Sequence, residues 1–147
     1  MNTLLKTFGL VLIALFSSCQ AQQTEKISIK NSKIIEANKK EFIGKPFSYL
    51  LGKIDQKSIK SILIPLTGKT EVGMITFNQI SFNENRKTPI DNKPTYMRVI
   101  FYQNAEQLLG DRCLPSKEHP ECAEWTKADE KRFGNLIVYD IYVGGKD

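Results

Sequence analysis

Hydrophobic and polar positions along this chain change period twice, and the changes outline the fold. Ile27 and Ile29 alternate with polar residues, which predicts a short edge strand over 24–30. Ile34, Ile35, Asn38 and Phe42 then recur at helical spacing behind Ser32, a residue suited to an N-cap, and Gly44 supplies the stop. Pro46 fits the first turn of a second short helix whose apolar face is Phe47, Leu50, Leu51 and Ile54. From Ile59 the period becomes two. Strands are predicted over Ile59–Ile64, Val72–Phe82, Tyr96–Tyr102 and Leu136–Val143. Thr67-Gly68-Lys69 reads as a turn and 83–94, rich in Asn, Pro and Lys, as a loop. Ala105–Leu109 suits one helical turn capped by Gly110. Glu121–Phe133 suits a third helix with Trp125 and Phe133 inward and Gly134 as its stop.

Strands joined by short connections favour antiparallel pairing, and helices at both ends of that run favour a layered α+β domain. The expected architecture is two-layer α+β: an antiparallel sheet of four or five strands with helices on one face. The expected organisation is a leader over 1–18, a polar tether over 19–25 and a single domain over 26–147. A domain of that size buries a genuine core without needing a metal or cofactor.

The first residues carry a different message. Lys6 precedes the apolar run Phe8–Phe16, which is followed by Ser17-Ser18-Cys19. A basic start, a short apolar stretch and small residues form a secretory signal peptide. The run falls well short of the roughly 20 apolar residues a bilayer span needs. Phe16-Ser17-Ser18-Cys19 resembles a bacterial lipoprotein lipobox, with Phe16 where an aliphatic residue is usual. That resemblance implies that Cys19 is lipidated and becomes the first residue of the mature protein. The other reading is cleavage after Ala21 by an ordinary signal peptidase. The leader, together with the excess of Lys over Arg and the abundance of Ile and Asn, is similar to small envelope lipoproteins of the Bacteroidota. No acidic cluster follows Cys19, which within that resemblance points to a periplasm-facing protein.

An exported address changes how the charges and cysteines read. Residues 23–100 carry a net charge of +7 and residues 101–147 one of −3. The basic half suits anionic lipid heads, glycans or an acidic partner, and nucleic acid is an unsuitable partner outside the cytoplasm. Cys113 and Cys122, an even pair in an oxidising compartment, are expected to form a disulfide. Closing that ten-residue loop stabilises by roughly 2.5–3 kcal/mol in the chain-entropy account. A metal set of Cys113, His119 and Cys122 is the rival, weakened by its spacing and its lack of a fourth ligand.

Catalytic chemistry finds little purchase. His119 is the only histidine, flanked by Glu118 and Glu121, and an acid/base role is conceivable there. No nucleophile elbow accompanies it. Gly68-Lys69-Thr70 looks like the end of a phosphate loop, yet Leu63 stands where the motif needs glycine. A binding surface is the better candidate. If the aliphatic sets of the last two strands face the helices, the opposite face presents Tyr96, Arg98, Tyr102, Asp140 and Tyr142, with Arg98 and Asp140 placed to pair across strands. Tyrosine and arginine are the residues enriched where proteins bind partners. The expected function is therefore a lipid-anchored, non-enzymatic envelope protein that binds another macromolecule through its sheet face, as an accessory or immunity-type protein. The alternatives are a small-molecule or glycan-binding domain and, further off, a hydrolase built on His119.

Overall fold

The computed structural model describes residues 25–65, 73–104 and 109–146. The leader with Cys19, the 67–69 turn and all but the last residue of the 105–109 turn fall outside these residues. The fold is α+β, with four strands in one antiparallel sheet. They run in chain order: β1 (Ser61–Leu63), β2 (Gly73–Asn78), β3 (Tyr96–Phe101) and β4 (Val138–Gly144). Among the described residues four short helices accompany them: α1 (Lys33–Ala37), α2 (Phe47–Leu51), α3 (Phe82–Lys87) and α4 (Lys127–Phe133).

The core lies against one face of the sheet. Ile62 from β1, Ile75 and Phe77 from β2, Met97, Val99 and Phe101 from β3, and Val138, Ile141 and Val143 from β4 all point into it. Ile29, Ile35, Phe47, Leu50, Ile54 and Phe133 belong to the same buried cluster. At its centre Phe47 meets Phe101 edge-on at 5.0 Å between ring centroids, and Trp125 meets Phe77 edge-on at 5.3 Å. Edge-to-face pairs add about 0.5–1.5 kcal/mol beyond the area they bury.

Several predicted elements are shorter or different in kind. Ile27 makes a single parallel bridge to Ile54 rather than a strand, and Ile29 begins a 3-10 turn. The helix expected from Ser32 stops at Asn38, where the side-chain amide donates to the Ile34 carbonyl (2.9 Å) in competition with the next helical turn. Ser32 does not cap it. Its hydroxyl donates back to the Ile29 carbonyl at 2.7 Å. The strand expected over Val72–Phe82 ends at Asn78. Ser81 then caps α3, accepting from the Glu84 N–H while the Glu84 carboxylate accepts from the Ser81 N–H, a reciprocal capping box. A second box, Thr126 with Asp129, starts α4 six residues after the predicted Glu121 start and leaves Pro120–Ala123 as a separate 3-10 turn.

The free edge of β4 is closed by the N-terminal segment. Gly44 donates to the Val138 carbonyl (2.8 Å), and Val138 donates to the Lys45 carbonyl (3.0 Å). Farther along, the Val143 N–H goes to Glu36 (2.9 Å) and the Ile141 N–H to the Asp140 carboxylate (2.8 Å). The opposite edge, β1, is only three residues long. Both are ordinary means of keeping a sheet from recruiting an unwanted strand.

Candidate functional site

The sheet face turned away from the core is the site the sequence singles out. Strand alternation places Tyr96, Arg98 and Ile100 of β3 there. Arg98 lies opposite Tyr142 of β4, and Ile100 opposite Asp140. Tyr102, one residue beyond β3, continues the same face and is exposed. All five expected residues thus occupy one surface. Their pairing differs from expectation. Asp140 does not pair with Arg98. It accepts from the Lys39 ammonium at 2.7 Å, and that bond holds its carboxyl below the usual aspartate range. Arg98 instead directs Nε toward the Thr76 hydroxyl (3.4 Å), and its guanidinium stands 5.9 Å from the Tyr96 ring centre.

A bulge adds a residue that alternation assigned to the core. Phe101 pairs with Val138 while Ile100 pairs with Asp140, so Tyr139 is left as the extra residue of β4. Val138 therefore turns inward and Tyr139 outward, whereas unbroken alternation along 136–143 would put Tyr139 with Ile141 and Val143 on the core side and Val138 opposite. Tyr139 meets Tyr102 edge-on at 4.9 Å. At the other end of the face Tyr96 and Tyr142 lie 6.4 Å apart. Tyr96 sits directly over Gly144, its cross-strand partner, and a β-carbon at that glycine would collide with the phenol ring. The glycine is what lets the ring lie flat on the sheet, an arrangement that shields glycine backbone in other sheets.

Near β1 and β2 the face is partly covered. Thr76 and Asn78 point outward yet are buried. Asn85 of α3 and Ile90 of the next turn join Leu63, Thr76, Asn78, Lys93, Tyr96 and Arg98 around a recess of 170 Å³. Lys93 donates to both the backbone carbonyl (3.1 Å) and the side-chain oxygen (2.6 Å) of Asn85. Pattern reading missed this recess because it assigned 83–94 to a loop. The signal was the S-x-x-E spacing of Ser81 and Glu84, which marks a helix start.

The cysteine pair is settled. Cys113 and Cys122 form a disulfide with 5.4 Å between their α-carbons. Both sulfurs are spent on that bond, which removes the rival metal set with His119. The loop is also held from within by Arg112, which donates to the carbonyls of Cys113 (3.1 Å), Cys122 (2.7 Å) and Glu124 (3.0 Å) and to Asp129 (2.8 Å). His119 lies in this loop with its ring 3.1 Å from Glu121, both side chains more than 60% exposed. Its own backbone N–H and then the His119 ring hold the Glu121 carboxyl below the usual range. Nothing there excludes water from the pair. Trp125 turns inward as expected, partly buried against Phe47, Phe77 and Phe133.

No protein-family model, curated protein or solved structure matches this chain. Among the described residues, no helix is long and apolar enough to cross a membrane.

Proposed function

We propose that this chain is an exported, lipid-anchored, non-enzymatic protein of the cell envelope that binds another protein through the outer face of its sheet. The observation that carries the reading is the cluster of rings on that face: Tyr96 with Tyr142, and Tyr102 with Tyr139, flanking Arg98. Tyrosine and arginine dominate the energetics of protein interfaces because they combine large contact area with directed hydrogen bonds. Ile90, 83% exposed, adds an apolar side chain at the rim. A face is also favoured over an edge. The β4 edge is occupied by Lys45, Glu36 and Asp140, and β1 offers three residues, so strand addition has little to work with.

Export and anchoring rest on the leader and on Cys19, as argued from the sequence. The disulfide accords with an oxidising compartment.

On this face the small-molecule alternative is disfavoured by size. The recess on this face holds 170 Å³, whereas pockets for drug-sized ligands run from about 300 to 1,000 Å³. The test is capture from envelope extract with the intact chain and with the double variant Tyr96→Ala/Tyr142→Ala. A partner recovered by the former and lost by the latter supports the reading; equal recovery refutes the face as the interface. Intact mass of the protein isolated from its host reports the cleavage site and acylation of Cys19 in the same sample.

A further inference from the structure

The outer-face recess is lined by two cations and by no carboxylate. Several cations of the fold meet carboxylates: Lys39 with Asp140, Arg112 with Asp129, Arg132 with Asp111. Arg98 and Lys93 meet none among the described residues, although both line the same recess. Two of the three Lys93 ammonium protons are directed to Asn85, leaving the third for another acceptor. The Arg98 guanidinium uses Nε on Thr76, and its two terminal amino groups take no partner among the described residues. The remaining wall is amide, hydroxyl, aliphatic and aromatic: Asn78, Asn85, Thr76, Leu63, Ile90 and Tyr96.

We infer that this recess seats one carboxylate side chain, a glutamate or aspartate of the protein partner, between Arg98 and Lys93. The inference rests on the face being an interface and names the chemistry of its anchor. Two cations with no carboxylate in the lining favour an anion. The 170 Å³ volume suits a single side chain rather than a whole ligand. Arg98 presents two adjacent amino groups, the geometry that matches a carboxylate bidentately. Tyr96, Ile90 and the neighbouring Tyr142 form an apolar and aromatic surround that excludes water from the ion pair once a partner covers it, as around other interface anchors.

The experiment is an NMR titration of the full, ¹⁵N-labelled chain in mild detergent. It follows the Arg98 Nε–Hε signal and the Asn85 side-chain amide. The probes are N-acetyl-glutamate N-methylamide, its glutamine counterpart and inorganic phosphate. The expected result is saturable shifts with the glutamate probe at millimolar concentration, none with the glutamine probe, and affinity lowered at least about tenfold in both Arg98→Gln and Lys93→Gln, a loss of about 1.4 kcal/mol or more. Arg98→Gln and Lys93→Gln are read only alongside an unchanged unfolding midpoint. Three results overturn the inference: no response to the glutamate probe, an equal response to the glutamine probe, or a response to phosphate alone. If the probe fails while Tyr96→Ala/Tyr142→Ala still loses the captured partner, only the carboxylate seat falls and the interface stands. If the probe binds while that double variant still captures the partner, the interface falls, and with it the assignment of the carboxylate to a partner.

Discussion

Two residues show how single side chains position larger features. Gly144 leaves space for the Tyr96 ring, and the atoms that an added β-carbon would meet are at the far end of that ring. The ring can swing away, so Gly144→Ala is expected to change stability by no more than about 1 kcal/mol. It should nevertheless move Tyr96 off the sheet and weaken partner capture. Urea unfolding and the Tyr96 ring resonances measure the two effects separately. Arg112 is the opposite case. Its side chain and that of Asp129 are 9% and 4% exposed, and its guanidinium joins the disulfide loop to the start of α4. Arg112→Ala strips a buried carboxylate of its cation and should cost about 3–5 kcal/mol, read from the denaturant midpoint. Neither role was visible in the sequence. A glycine next to Gly145 at the end of a strand pattern gives no sign of a ring above it, and an arginine before a cysteine none that Asp129, seventeen residues on, meets it. Tyr96, Arg98 and Tyr102 were legible because alternation through β3 is unbroken, with Met97, Val99 and Phe101 marking the inward side, and Asp140 and Tyr142 because they lie past the bulge and alternate with Ile141 and Val143.

At the scale of elements, errors arose where a local cap overrides a hydrophobic pattern. Ile80 and Phe82 prolong the alternation of β2, so a strand running to Phe82 was the natural reading. The backbone leaves the sheet after Asn78 because Ser81 and Glu84 together satisfy N–H groups at the start of a helix. Thr126 and Asp129 do the same for α4, cutting the expected 121–133 helix in two. The caps are energetically separable. Ser81→Ala and Thr126→Ala should each destabilise by about 1 kcal/mol, with the Thr126 variant the more damaging because its partner Asp129 also holds Arg112. Thermal midpoints of the two single variants check this order. The bulge at Tyr139 had no comparable signal. Ile137 and Tyr139 are strand formers compatible with either face, and only the pairing of Val138 with Phe101 decides which way they turn.

Across the whole molecule, the strand order β1-β2-β3-β4 follows the chain, so the α+β class was recoverable from pattern alone. What pattern could not supply was the contact between distant segments that fixes the N-terminal layer to β4. Lys39 and Asp140 form that contact, 101 residues apart, and it carries a pH signature with two limbs. The hydrogen bond from Lys39 lowers the Asp140 pKa below 3.8, and the hydrogen bond to Asp140 raises the Lys39 pKa above 10.5. A depressed carboxylate stabilises the fold above its unfolded pKa and loses that effect as pH falls through its folded value. A raised amine does the reverse: its contribution is complete below its unfolded pKa and disappears as pH climbs through the folded one. The pair therefore stabilises across the neutral range and weakens at both extremes. Both groups are more than a third exposed, so salt should reduce the effect. Asp140→Asn should lower the urea midpoint slightly at neutral pH. Its difference from the wild type should shrink toward zero between pH ~5 and ~2, as the wild-type carboxylate takes up its proton. A difference that stays constant through that range would mean that Lys39 and Asp140 are merely adjacent, and that Glu36 and the Gly44–Lys45 backbone alone hold the segment to the sheet.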